Sequence, residues 1–203
     1  MGYSIKFNSP VVLIISFVSV AILLLKMIGL PVNTLLGLEP YLTWGNLPKM
    51  FTYVLAHANY AHLVGNLSMF LLLGPALEAK YGSKKYLFMI GFTAIMTALL
   101  HVLLFDYRLI GLSGIVFMNI ILISISNVKE KEIPLTFILV SIIFIGQEVY
   151  NSFQLDHVSQ FAHIIGGAFG GFLGFSKFFK KSSVANTSAT TESSYMEQEG
   201  QED

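Results

Sequence analysis

Gly111-Leu112-Ser113-Gly114-Ile115-Val116-Phe117-Met118-Asn119-Ile120-Ile121-Leu122-Ile123-Ser124-Ile125-Ser126-Asn127-Val128-Lys129 decides how the rest of the chain is read. From 110 to 128 it carries no charge and has the length a helix needs to cross the hydrocarbon. Lys129 marks a membrane rim, and Ser113 stands 16 residues before it, about 24 Å at the helical rise. The hydrocarbon layer is about 30 Å thick, so a helix that begins at Ser113 begins below the opposite surface. Non-helical backbone at that depth is tolerated only inside protein or beside a water-filled cavity. Gly111 and Gly114 permit an unusual turn and a close backbone approach. The first N–H groups of such a helix lack partners and carry the positive end of its dipole. A serine placed there is a candidate nucleophile with oxyanion donors in its own backbone. Serine and glycine are also common in membrane helices, so the string alone favours packing, and it is the depth of Ser113 that strengthens the catalytic reading.

Composition supports the membrane reading. Of 203 residues, 54% are apolar and only 12% are charged, against about 25% charge in an average soluble domain. An ordinary soluble globule, a disordered chain and a nucleic-acid binder are excluded. The absence of cysteine excludes disulfide scaffolds, thiolate metal sites and cysteine nucleophiles. Residues 1–181 hold all twelve basic residues and seven acidic ones, whereas 182–203 hold five acidic residues and no basic one. That stretch of Ser, Thr and Glu cannot bury enough apolar surface to offset chain entropy, and it is expected to be a disordered acidic tail.

Hydropathy predicts six spans: 11–30, 62–79, 86–104, 110–128, 133–151 and 160–179. The first is too long, and lacks the small-residue cleavage site, for a signal peptide. If the spans alternate, Lys6, Lys80, Lys84, Lys85, Lys129, Lys131, Lys177, Lys180 and Lys181 share one side, while Lys26, Lys49 and Arg108 lie toward the other. The bias puts residues 1–10 and the C-terminus in the cytoplasm. The connection 31–61 is too long for a turn and too apolar for a solvated loop. Its Tyr41, Trp44, Phe51 and Tyr53 suit the headgroup layer, so it is expected to be a semi-buried interfacial loop with short helices. The expected fold is an all-α membrane protein, a single six-helix domain over 11–181.

Ionisable and polar groups within spans are expensive and default to functional candidates. His163 opens Ala162-His163-Ile164-Ile165-Gly166-Gly167, and Gly166, Gly170 and Gly174 follow on its face. This stripe admits a close neighbouring helix, and His163 must point at that neighbour. It lies 14 residues before Lys177, about 21 Å deep, close to the level of Ser113. That depth and that face favour a general base over a buried structural histidine. His62 and Asn66, at i and i+4, share a face of the second span at similar depth, either as an interhelical hydrogen-bonding pair or as oxyanion donors. His57 precedes that span and reads as a loop anchor. His101 is a rival base at comparable depth but has no small-residue face. Glu78 falls near the cytoplasmic end of its span, Glu148 near the outer end of the fifth, Asn119 off the face of Ser113, and His157 in a solvated loop.

The reaction classes separate on residue types. His-Glu-x-x-His is absent, and with it the metalloprotease pattern. Asp106 and Asp156 fall in outer loops, which removes an intramembrane aspartyl pair. A transporter would carry ionisable groups along a pathway, whereas here polar groups gather at one depth. Serine–histidine chemistry fits what is left. No cofactor and no metal are called for.

The ordered set His57-x4-His62-x3-Asn66, Gly111-Leu112-Ser113-Gly114 and Ala162-His163-x2-Gly166-x3-Gly170, on spans 2, 4 and 6, resembles the rhomboid intramembrane serine proteases. Leu73-Gly74-Pro75-Ala76-Leu77-Glu78 and Tyr81-Gly82-Ser83 are similar to the family's second-helix end, and the resemblance covers about residues 11–179. It implies a six-helix rhomboid-like bundle in which Ser113 is the nucleophile and His163 its base, a dyad with no carboxylate. His62, Asn66 and the Ser113 N–H would hold the oxyanion, His57 would be structural, and the substrates would be single-pass membrane proteins. Two positions depart from the family: Phe117 stands where tyrosine is frequent, and Pro48-Lys49 where Trp-Arg is frequent. Phe117 keeps ring stacking but loses a hydroxyl. Lys49 cannot pair bidentately as arginine does. The alternatives are a non-proteolytic relative that binds membrane proteins for quality control, and a small transporter. A compact chain without a large extra domain points to a bacterial plasma membrane.

Overall fold

The computed structural model describes residues 6–125 and 160–175, together with Leu135, Ile138, Leu139, Ile142 and Ile143. Glu148, His157, Lys129, Lys131, Lys177, most of the expected fifth span and the tail 182–203 lie outside the described residues. Three described helices are long and apolar enough to cross a membrane: α1 (Pro10–Met27), α4 (Tyr60–Tyr81) and α5 (Ser83–Leu104). Between α1 and α4 lie two short helices, α2 (Val32–Leu36) and α3 (Lys49–Thr52), and two 3-10 turns at Trp44–Asn46 and Tyr53–Leu55. α6 (Ser113–Ile125) and α7 (Gln160–Phe175) complete the described bundle. The described residues contain no strand, only an isolated bridge between Leu38 and Leu109.

α6 is the axis of this bundle. Gly114, Ile115, Val116, Met118, Asn119, Ile120 and Leu122 are all buried, which covers its circumference. Asn119 donates to the Tyr86 hydroxyl of α5 at 2.7 Å, and Thr93 of α5 donates to the Met118 sulfur at 3.0 Å. The outer helices show the reverse pattern. Ile14, Phe17, Leu24 and Leu25 of α1 and Leu71, Leu72, Leu87, Phe88 and Leu103 of α4 and α5 are exposed. Leu135, Ile138, Leu139, Ile142 and Ile143 are helical and exposed too, and their spacing puts them on one face. So large an apolar exterior is stable only against lipid.

Two polar devices fix the frame. α1 starts without a side-chain cap of its own. The buried carboxylate of Glu78 supplies one across the bundle, accepting from the N–H groups of Val11 and Val12 at 3.1 Å each. A carboxylate there meets the positive dipole end and two orphan donors. Gly82 alone joins α4 to α5, with φ +79°, and its N–H donates to the Glu78 carbonyl at 2.8 Å. That left-handed φ favours glycine.

The 31–61 connection is part buried and part exposed. Val32, Leu38, Met50, Tyr53 and Val54 are buried, while Trp44 is 89% exposed. The Asn46 side chain holds the loop on itself, accepting from the Glu39 N–H at 3.1 Å and donating to the Glu39 and Tyr41 carbonyls. Arg108, the only arginine in the sequence, pairs with Glu39 at 2.7 Å, and Lys49 approaches the same carboxylate at 3.9 Å while donating to the Thr34 carbonyl at 2.8 Å. The Nε and Nη2 of Arg108, in the α5–α6 loop, both reach Glu39 Oε1, at 2.9 and 2.7 Å, and the bridge between Leu38 and Leu109 clamps the same two loops together.

Candidate active site

The seam between α6 and α7 is nearly backbone against backbone. A Cβ built on Gly166 would sit 2.8 Å from Gly114 Cα, and one on Gly170 would sit 2.9 Å from Met118 Cα. A Cβ on Gly174 would touch Leu122 at 3.4 Å. The partner numbers rise together, so the helices run parallel at a constant register. Gly114 reciprocates, because a Cβ there would sit 3.1 Å from the Ala162 carbonyl oxygen. The residue after Ser113 therefore rests on the residue before His163.

His163 is buried, and its ring lies flat on Phe117, with centroids 4.5 Å apart and planes 5° apart. Phe117 stands one turn after Ser113 on α6, so the stack aims the imidazole along the face that starts at the serine. Ser113 is half-buried and is the first residue of its helix. The Leu112 carbonyl accepts from the N–H groups of Ile115 and Val116 at 2.9 and 3.1 Å. The N–H groups of Ser113 and Gly114 precede the first bonds of the helical ladder and are donors with no intrahelical acceptor.

Gly111 turns the chain into that helix with φ +118°, and its N–H donates to the Tyr53 carbonyl at 3.0 Å. The turn passes directly under α4. A Cβ on Gly111 would sit 2.9 Å from His62 Nε2 and 3.8 Å from Asn66 Nδ2. Only glycine supplies both the backbone angle and the clearance. The buried Asn66 Nδ2 has no hydrogen-bond partner among the described residues. Asn59 caps α4 by accepting from the His62 N–H at 2.9 Å, and the Ala58 N–H donates to His62 Nδ1 at 3.4 Å. That bond leaves Nε2 as the protonated nitrogen, facing Gly111.

His62 and Asn66 thus lie against the turn that leads into Ser113, and the Ala162–His163 end of α7 lies against the first turn of α6. His101 is held elsewhere. Its Nε2 contacts the Tyr107 carbonyl at 2.7 Å, and its ring lies between Phe105 and Tyr107 with centroids 5.3 and 4.9 Å away. It ties down the end of α5. His57 is buried beside the cluster, with Nδ1 on the Leu55 carbonyl at 3.2 Å and its ring edge-on to His62 at 5.1 Å.

Burial, and after it the neighbouring His62, pushes the His57 imidazole down to about 4. An unfolded histidine titrates near 6.5. Between those values the unfolded chain binds the proton and the folded one does not, so stability is complete above 6.5 and falls on acidification. The loss from pH 7 to pH 5 is about 2 kcal/mol. Thermal unfolding in detergent should show this drop, and His57→Asn should flatten it. A wild-type midpoint unchanged between those pH values contradicts the assignment.

Sequence reasoning did not find three supports of this frame. These are the Glu78 cap on α1, the Arg108–Glu39 pair and the Tyr53 carbonyl that holds Gly111. An acid in an apolar helix and a lone arginine were the available signals for the first two. The third is a backbone contact, which no side chain announces.

A family model described as Rhomboid domain matches residues 45–179, about two thirds of the chain and a segment that contains Ser113, His163, His62 and Asn66. The chain belongs to the rhomboid family, and it is an integral membrane protein. Rhomboids are in general intramembrane serine proteases. No curated protein sequence matches the chain.

Proposed function

We propose that this rhomboid is an active intramembrane serine endopeptidase that cuts single-pass membrane proteins near the outer side of the membrane, with Ser113 as nucleophile and His163 as general base. The observation that carries the reading is the parallel glycine seam, which sets Gly114 against Ala162 and Gly166. That approach of the first turn of α6 to the Ala162–His163 end of α7, with His62 and Asn66 against Gly111, supports the reading. A substrate helix shields its own peptide bonds, so it must unwind before attack, and small or helix-breaking residues at the cut lower that cost. Ser113 Oγ attacks the carbonyl carbon while His163 takes the hydroxyl proton. The resulting oxyanion accepts from His62 Nε2, Asn66 Nδ2 and the Ser113 N–H. His163 returns the proton to the leaving amine. Water, activated by the same imidazole, then hydrolyses the ester. The Phe117 stack orients the ring.

The accompanying topology is six spans with both termini cytoplasmic, a catalytic unit over 11–181 with the tail outside it, and a bacterial plasma membrane as location. A fluorophosphonate probe tests the chemistry. It should label the wild type at Ser113 and leave Ser113→Ala unlabelled; labelling that persists in the variant overturns the assignment. Asn66→Ala should lower kcat about 10²–10³-fold while labelled-substrate binding persists, the usual effect of losing one oxyanion donor. A variant within a factor of three of wild type would return Asn66 to a packing role.

A further inference from the structure

We infer that the cleft between α1 and α4 binds one anionic phospholipid, with an acyl chain along the cleft and the phosphate on Lys26. The cleft has a volume of about 520 Å³ and is lined by apolar side chains, among them Leu23 and Met27 of α1 and Tyr60, Val64 and Leu71 of α4. From Tyr60 to Leu71 it runs about 16 Å at the helical rise, which gives a mean cross-section of about 30 Å². An extended hydrocarbon chain can lie along a groove of these dimensions.

Charge selects the headgroup. Lys26 lies in the last turn of α1, one residue before Met27 at the rim of the cleft. Its ammonium is drawn toward the chain that precedes α4, donating to the Ala58 carbonyl and, at 3.5 Å, to the His57 carbonyl. Glu39 is engaged by Lys49 and Arg108, and no described carboxylate pairs with Lys26. A cation fixed at a helix end, where headgroups begin, is compensated by a phosphodiester that also has a chain to place in the cleft. One lysine at a membrane surface is worth about a fivefold preference for an anionic lipid. Neither Ser113 nor His163 lines the cleft, so the inference stands apart from the proteolytic reading.

The chain has no cysteine, so Leu71→Cys gives a single site for a fluorophore at the deep end of the cleft. The labelled full chain, in phosphatidylcholine nanodiscs, is titrated with acyl-chain nitroxide phosphatidylglycerol or the phosphatidylcholine equivalent. Half-maximal quenching should need about five times less phosphatidylglycerol. Lys26→Arg should keep that ratio and Lys26→Gln should bring it to one. Should Lys26→Gln fail to fold, unlabelled phosphatidylglycerol, and not unlabelled phosphatidylcholine, should relieve quenching in the Lys26 protein. Equal quenching by both lipids would mean ordinary surrounding lipid and overturns the site. Absence of quenching by either, as under a docked helix, overturns it too.

Discussion

Ser113→Ala and His163→Ala should each lower cleavage of a model single-pass substrate by about 10⁴-fold or more, and the double variant should lose little beyond either one. The non-additivity is the informative part. A nucleophile and the base that takes its proton act as one unit, so removing the second member of a broken unit costs almost nothing more. Stability separates this from unfolding. Ser113 is a half-buried helix start, and its alanine variant should melt within a few degrees of wild type. His163→Ala loses the stack on Phe117, worth about 1 kcal/mol, and should melt slightly lower while remaining folded. His101→Ala is the control, because its ring nitrogen is committed to the Tyr107 carbonyl. It should retain turnover within a few-fold while loosening the end of α5. If His101→Ala abolished cleavage and His163→Ala did not, the base would be misassigned. If flux of a small solute through proteoliposomes survived Ser113→Ala while no cleavage was detected in the wild type, the transporter reading would replace the protease.

How far the sequence could be read follows from the range of each interaction. The all-helical membrane class comes from local apolar runs, and α1, α4 and α5 lie close to the expected spans. The interfacial loop was legible because its aromatic and apolar content fits neither solvent nor a turn. The close approach of α6 and α7 was legible for a different reason. Depth along a helix converts directly from residue count, and the register of Gly166, Gly170 and Gly174 forces a close neighbour. What failed to show was every contact made between distant segments through one buried polar group. Glu78 was placed at a membrane rim by its position in the span, but it is buried and caps α1, 66 and 67 residues earlier in the chain. Lys49 was read as a weaker brace for the loop, because nothing local indicates that Arg108 reaches Glu39 across a separation of 69 residues. Such pairings depend on how the helices are ordered around α6, which no window of sequence contains.

The seam itself yields the second large effect, through two neighbouring glycines with opposite expected outcomes. Gly166→Ala would place its methyl 2.6 Å from the Gly114 carbonyl carbon and 2.8 Å from Gly114 Cα. Those are backbone atoms that cannot swing aside, so α7 must move away from α6. Overpacking of a tight core usually costs about 1–3 kcal/mol, and the melting temperature should fall accordingly. Activity should fall further, because a displacement of about 1 Å at reacting groups can cost 10²-fold. The methyl strikes at the level of Gly114, between Ser113 and the Phe117–His163 stack. Gly167→Ala, one residue on, would place its methyl 3.5 Å from Ile121 Cγ1, an ordinary contact. Within a helix that exchange gains about 0.5–1 kcal/mol from backbone entropy, so Gly167→Ala should melt at or above the wild-type temperature and remain active. Melting curves and substrate cleavage on the two variants test the seam directly. If both alanines proved equally benign, α6 and α7 would not meet backbone to backbone and the proposed dyad of Ser113 and His163 would lose its physical basis. A loss confined to Gly166→Ala, larger in turnover than in stability, is the result that close parallel packing requires.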